Sequence, residues 1–285
     1  MGGFNLFYLR YEIKNLYRSR IIRLMIIFLF IIAIATPIST YITYLKNENF
    51  GNEGLNPFQY WLLNYSAGWG GPTYFRLFYI FPVISTGMVY FQESSSSIRE
   101  IILTKIGYKN YFIVKLLSVS ILSFCAFSLF FMCNSICTHI CFHGREMTSF
   151  YKEIVPISGS FADIFYKISP LFMEVMYGLI NALAQAFLTG MVVGLQMSMR
   201  TKNKYAAFIG PFFIMYIFDY MCQIIAVSCI GKPYLCLSLI VQPSMCWAMV
   251  DPPKIVDLFF VFGGTLLLLW LLTVVGFFRN RDNLR

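Results

Sequence analysis

The sequence has few charged residues and lacks the short motifs that carry common enzyme chemistry. Only 12% of its 285 residues are Asp, Glu, Lys or Arg, whereas a soluble domain carries roughly a quarter. It contains no G-x-x-x-x-G-K-[ST] loop for nucleotide phosphates, no H-E-x-x-H zinc motif and no G-x-S-x-G nucleophile elbow. We therefore expect no catalytic residues and no nucleotide site on this chain.

The sequence also lacks a metal-binding pattern. Its eight cysteines form no C-x-x-C pair. Cys133, Cys137 and Cys141 recur every four residues, but the nearby His139 and His143 fall on other helical faces. We interpret these cysteines as small packing residues and expect no metal site. Three further cysteines lie near the predicted outer face, where disulfide formation stays open: Cys229, Cys236 and Cys246.

What the sequence has in abundance is apolar residues in long runs. Hydrophobic residues make up 58% of the chain, and its mean hydropathy is +0.67. A transmembrane helix needs about 20 apolar residues, and the polar interruptions, about 30 residues at most, leave no room for a soluble domain. The sequence therefore predicts one membrane domain over residues 1–285 with spans at 21–45, 72–92, 111–142, 171–199, 205–230 and 255–278.

The net charge of +9 follows the predicted span ends. Most of the lysines and arginines fall in segments placed on one side of the membrane, as cytoplasmic loops require. We therefore predict both termini in the cytoplasm and no nucleic-acid partner. Residues 233–249 are apolar but short and interrupted by Pro243, which favours a re-entrant segment on the outer side over a seventh span.

Residues 4–20 are predicted to form an amphipathic helix that lies in the membrane interface. An ordinary charged terminus ahead of the first span is the alternative. The helical interpretation depends on an apolar stripe of Leu6, Leu9, Ile13 and Leu16 and a cationic stripe of Arg10, Lys14 and Arg18.

Residues 93–115, between the second and third spans, carry the clearest local signal. Ser97 and Glu100 form a capping box that starts a helix, and Gly107 is a natural stop. Ile98, Ile101, Ile102 and Ile106 follow at helical spacing, whereas Lys105 falls on the apolar side and has to reach outward. From these residues alone, a capped basic loop is an equally good interpretation.

A glutamate at the end of span two, a short helix and then T-x-I-x-Y-x-x-Y-x-x-x-K-L-L over residues 104–117 resemble permease subunits of type-2 ATP-binding-cassette exporters. The stretch YEIKNLYRSR at 11–20 is similar to the opening of the same family's elbow helix. The layout also resembles that family: an all-α integral membrane protein with six transmembrane helices, an N-terminal interfacial elbow helix, a cytoplasmic coupling helix and an outer re-entrant segment before the last span.

The resemblance implies a function and partners. The segment 94–110 would be the coupling helix that docks on a separate ATPase subunit, which binds ATP and Mg while this chain binds no cofactor. The permease would pair with a second copy or a sister permease in a bacterial plasma membrane. It would export an amphipathic or antimicrobial peptide, a lipid or a drug. The coupling residues would be Glu93, Ser97, Arg99, Glu100, Ile102 and Lys105.

Polar residues inside predicted spans mark a second candidate site, because they are costly in lipid. In span four, Glu174, Gly178, Asn181, Gln185, Thr189 and Gln196 fall on one helical stripe, and span five holds Asp219 with Gln223 one turn on. These residues either bond neighbouring helices together or line a path for cargo. The candidates for a translocation path or helix interface are Glu174, Asn181, Gln185, Asp219 and Gln223.

Two other classes of protein fit the same composition. A non-transporting membrane protein, such as an immunity, sensor or assembly factor, would use a similar helical scaffold. A secondary transporter would need more intramembrane charge or repeated halves, and neither is evident in the sequence.

Overall fold

The computed structural model describes residues 6–46, 56–64, 68–85, 102, 104–144, 156–199, 203–246 and 249–281. Every regular element in these ranges is helical. In chain order, the α-helices that we number are α1 Leu6–Arg18, α2 Arg20–Lys46, α3 Pro57–Tyr60, α4 Gly70–Arg76, α5 Tyr108–Cys141, α6 Phe161–Ile168, α7 Pro170–Met199, α8 Lys204–Ile225, α9 Leu237–Ile240 and α10 Ile255–Arg281. A π-helical turn, Ala226–Ile230, extends α8, and a 3-10 turn, Pro243–Cys246, follows α9.

Five helices in the described part of the chain are long and apolar enough to cross a membrane: α2, α5, α7, α8 with its π-helical extension, and α10. The chain is thus an all-α protein of multi-pass membrane character. These helices coincide with five of the six predicted spans. The remaining one, 72–92, lies partly outside the described residues, because the description stops at residue 85.

Local signals in the sequence fix where several helices begin. Asn203 accepts a hydrogen bond from the N–H of Tyr205 (2.9 Å) at the start of α8, and Ser160 accepts one from Asp163 (3.1 Å) at the start of α6. Gly107 separates the short helical stretch at 104–106 from α5 with a φ of 74°, a conformation that favours glycine. The predicted stop at Gly107 is therefore confirmed.

Helix α7 forms the centre of the bundle. In the most apolar stretch of α7, 83% of the residues are buried, compared with 17% in α8 and 11% in α10. It packs against α5, α10, α6 and α8. Small residues permit this close approach, since an added Cβ at Gly178 would lie 3.0 Å from Phe131 and one at Gly190 would lie 3.1 Å from the Ser120 hydroxyl. The helices around α7 turn their other faces outward, as lipid contact requires.

Proline has no N–H to donate to the carbonyl four residues earlier, and at three prolines of the described chain a neighbouring side chain donates to that carbonyl instead. For Pro37 in α2 that carbonyl belongs to Ala33, and the Asn134 side chain on α5 donates to it at 2.8 Å. For Pro211 in α8 it belongs to Ala207, where Gln196 donates at 3.0 Å. Neighbouring amides thus replace the hydrogen bonds that the prolines remove.

Pro82 follows the same rule and explains the shape of span two. The helix of span two breaks one turn before Pro82: α4 ends at Arg76, and helical structure resumes at residue 80. The carbonyl that Pro82 leaves without a donor is that of Phe78, and the Gln185 side chain on α7 donates to it at 3.1 Å. The break therefore lies at the carbonyl that has to turn toward α7.

The bond between Gln196 and Ala207 should depend on Pro211. We expect Gln196→Leu to lower the free energy of unfolding by about 0.6–1.7 kcal/mol, the range for interhelical hydrogen bonds in membranes. In a Pro211→Ala background the new N–H can serve Ala207, so the same change should cost less. Reversible denaturation in mixed micelles measures all four variants of this cycle. Equal costs of Gln196→Leu in both backgrounds would contradict the pairing.

Candidate functional site

The structure describes the predicted coupling segment in part. Glu93, Ser97, Arg99 and Glu100 lie outside the described residues, so the capping box and its role stay predictions. Ile102 is described and half-buried, and Lys105 is described and exposed, as a lysine that reaches outward should be. The helical stretch at 104–106 runs directly into Gly107 and the first turn of α5.

Three elements meet at this point, which we name the junction: α1, residues 102 and 104–106, and the first two turns of α5. Ile102 and Ile106 pack against a buried cluster at its centre. That cluster includes Tyr8 and Leu16 from α1 and Tyr111 from α5. The segment that precedes span three is therefore joined to the N-terminal helix as well as to α5.

A buried ion pair crosses the junction. Lys115 on α5 donates to the Glu12 carboxylate on α1 at 2.5 Å, with 3% and 0% of the two side chains exposed. The Lys115 ammonium also lies 5.8 Å from the centre of the Tyr111 ring. Removing one partner of such a pair leaves a buried, uncompensated charge and typically costs about 3–5 kcal/mol. Neither charge can therefore be buried without the other, and the pair fixes where α1 lies along α5.

This pair was not predicted, although each of its two residues stands out in the sequence. Glu12 is the only acidic residue among the first 47, and Lys115 is followed directly by the apolar run of span three. The predicted apolar stripe of α1 differs from the side of the helix that packs against protein. The buried line runs through Tyr8, Glu12 and Leu16, whereas Leu6 is exposed. A glutamate without a partner would disfavour burial of this side of α1, but Lys115 of α5 pairs with Glu12 and allows it.

The polar residues of the predicted stripe on α7 are all buried. Asn181 donates to the carbonyl of Val241 at 2.9 Å and accepts from the Tyr74 hydroxyl at 3.2 Å. Thr189 pairs with Ser123 of α5 at 3.0 Å. Together with the bonds from Gln185 and Gln196 to proline-freed carbonyls, these contacts connect α7 to α4, α5, α8 and the segment that follows α9.

Glu174 is the first residue of the polar stripe and lies near the start of α7. The Ser135 hydroxyl on α5 donates to one carboxylate oxygen at 2.5 Å, and the ring of His139 lies 3.8 Å from the same oxygen. The other oxygen is buried and has no hydrogen-bond partner among the described residues. Glu174 thus belongs to the helix interface, and a part in a translocation path stays a prediction.

Asp219 is half-buried, and its carboxylate accepts hydrogen bonds from the start of the neighbouring helix α9. Its carboxylate accepts hydrogen bonds from the N–H of Leu237, at 2.9 Å, and from the Ser238 hydroxyl. These residues begin α9, whose own N-cap residue, Cys236, makes no capping bond through its side chain. Asp219 therefore supplies from α8 the acceptor that a helix start needs. Gln223, one turn further along α8, is also half-buried.

The segment predicted as re-entrant, 233–249, contains α9 and the 3-10 turn. It is joined to the bundle by Asp219, by Asn181 and by Cys246, whose thiol lies 2.9 Å from the Tyr177 hydroxyl. Cys229, Cys236 and Cys246 are each a free thiol in this arrangement. Within the described ranges, no three His, Cys, Asp or Glu side chains gather as metal ligands would.

Comparison with known proteins adds no relative. No family model matches this chain, and neither does any curated protein or solved structure. The geometry of the junction and of α7 is therefore the basis for a functional proposal.

The cap from Asp219 should be measurable as stability. Asp219→Leu leaves the N–H of Leu237 without its acceptor and should lower the free energy of unfolding by about 0.5–2 kcal/mol. Asp219→Asn keeps one acceptor oxygen, and Ser238→Ala keeps the bond to Leu237, so both should cost less. Denaturation in mixed micelles gives this order. An Asp219→Leu protein as stable as the parent would contradict the capping role.

Proposed function

We propose that this chain is the membrane-spanning permease subunit of a type-2 ATP-binding-cassette exporter. In this proposal a separate subunit binds ATP and Mg and hydrolyses the nucleotide. The permease moves an amphipathic or antimicrobial peptide, a lipid or a drug out of the cell. The junction is the observation that supports the proposal most, because it lies where the sequence resembles a coupling helix.

The junction has the mechanical properties that coupling requires. A displacement of residues 94–110 would act on Ile102 and Ile106, which pack against α1 and α5. The Glu12–Lys115 pair ties those two helices together, so they would move as one body. Helix α5 in turn packs on α7 and α2. A push from an ATPase would reach the centre of the bundle through rigid contacts.

The proposed topology has six spans with both termini in the cytoplasm of a bacterial plasma membrane. Helix α1 would lie in the interface as the elbow helix. Its outward side is consistent with this placement, since Phe7, Tyr11 and Tyr17 are exposed together with Arg10 and Lys14. Aromatic and cationic side chains of this kind favour the headgroup region.

A second permease copy or a sister permease would cover α8. This helix is largely exposed, and two of its residues near the bilayer centre, Tyr216 and Tyr220, are more than half exposed. A phenol hydroxyl in hydrocarbon costs free energy unless it is hydrogen-bonded. A protein neighbour could supply those partners, and the cargo path would then run between the two permeases.

A non-transporting immunity, sensor or assembly protein is the second candidate. The contacts of the polar stripe on α7 favour this second candidate. Three side chains that could line a path for cargo instead hold helices together: Asn181, Gln185 and Gln196. A secondary transporter has less support, since Asp219 is occupied with α9 and Glu174 with Ser135.

The test is cargo-stimulated ATP hydrolysis by the reconstituted complex with the ATPase of the neighbouring reading frame. Ile102→Asp places a charge in the junction cluster and should reduce stimulation by roughly 5- to 150-fold, the usual range of coupling between sites. Membrane insertion should be unchanged, because the spans are intact.

The matched control is Ile168→Asp, the same substitution at an exposed position of α6. It should leave stimulation unchanged. Full stimulation of the Ile102→Asp complex would contradict the coupling role of the junction. If no ATPase co-purifies with the wild-type chain, the non-transporting alternative is favoured instead.

A further inference from the structure

A cavity of about 840 Å³ lies between α5, α7 and α10, which we name the groove. Its volume is that of a site for a drug-sized molecule, about 300–1,000 Å³. The lining is apolar apart from Ser120, whose hydroxyl already donates to the carbonyl of Ala186 at 3.1 Å. The groove therefore offers an occupant apolar contact and little hydrogen bonding.

The length of the groove matches one leaflet of a bilayer. On α5 it extends from Phe112 to Phe124, and at 1.5 Å per residue this is about 18 Å. The hydrocarbon core of a whole bilayer is about 30 Å thick. The groove begins near the first turn of α5 and ends near the middle of that helix. Helix α5 begins and helix α10 ends at the same end of the bundle, which we name the basic end.

Two basic residues continue the groove-lining stripes at the basic end. On α5, Lys109 stands three residues before Phe112 and seven before Leu116, which both line the groove. On α10, Arg281 stands seven residues after Val274, also a lining residue. Residues separated by three, four or seven positions share a helical face. Both positions therefore continue the lining faces of their helices toward the mouth of the groove.

We propose that the groove binds the acyl chain of an anionic phospholipid from the leaflet at the basic end, with the headgroup held at Lys109 and Arg281. The apolar lining matches the chain, the depth matches one leaflet, and the two cations match the headgroup charge. Each Lys or Arg near a membrane surface contributes about 1 kcal/mol of attraction to anionic lipid. This bound lipid is a resident of the protein, independent of any exported cargo.

Trp270 provides a reporter, because it lines the groove and is 62% exposed. Replacing Trp61, Trp69 and Trp247 with Phe leaves Trp270 as the single tryptophan of the chain. The protein is reconstituted in mixtures of non-brominated lipid with brominated phosphatidylglycerol or brominated phosphatidylcholine. Quenching of Trp270 should report a preference for the anionic lipid of about 30-fold, as two such cations imply.

Two controls separate a bound lipid from the ordinary lipid around the protein. Moving the reporter to Leu129→Trp, with Trp270→Phe, samples an exposed position of α5 outside the groove and should show no preference. Lys109→Gln combined with Arg281→Gln should bring the preference at Trp270 close to one. Equal ratios at the two reporters would mean annular lipid only and would overturn the proposal. A preference that survives the double change would overturn the headgroup assignment.

If the single-tryptophan protein does not fold, the lipid retained by the wild-type chain decides. Leu117 is partly exposed and lines the groove, so Leu117→Trp should fill it and displace the phospholipid that remains after detergent washing. Leu129→Trp, with the same side chain outside the groove, should retain it. Equal retention of anionic phospholipid in the two variants, measured by mass spectrometry, would overturn the proposal.

Discussion

In the hydrocarbon of a membrane no water can replace a missing backbone hydrogen bond, so a carbonyl freed by proline has to find a donor in the protein. The architecture depends on how this requirement is met. Asn134, Gln185 and Gln196 each donate to such a carbonyl on another segment. Each of these bonds can form only when the neighbouring segment lies at one position along the helix that carries the amide. The amides therefore fix how α2, span two and α8 are placed along α5 and α7, which apolar packing alone leaves variable.

This use of polar side chains affects where a function can lie. A polar stripe on a central helix usually suggests a path for cargo. Here Asn181 and Gln185 bind carbonyls of other segments, and Asp219 holds the start of α9. What remains available lies at the margins: the junction at one end of the bundle, the exposed face of α8 and the groove beside α7. The proposals for coupling, for a second permease and for a bound lipid each use one of these places.

The sequence predicted what local rules determine and missed what depends on long-range pairing. Helix bounds came close to the observed ones because hydropathy and period are local, and the α7 stripe followed from its 3.6-residue spacing. Glu12 and Lys115 are 103 residues apart, and no local pattern announces their contact. Asp219 stood out as costly, but its use as a cap for Leu237 required the geometry of two helices. The break before Pro82 was likewise set by the position of Gln185 on a different helix.

The most direct test of this account is a distance across one of the proline sites. The Asn134 side chain lies 2.8 Å from the oxygen of Ala33, which puts its nitrogen about 4 Å from the carbonyl carbon. Solid-state NMR on protein labelled with ¹⁵N in asparagine side chains and ¹³C in alanine carbonyls measures this separation by dipolar dephasing. Asn134→Gln supplies the blank, because it keeps an amide without the label. The account predicts dephasing at Ala33 that the blank lacks, and equal dephasing in both samples would contradict it.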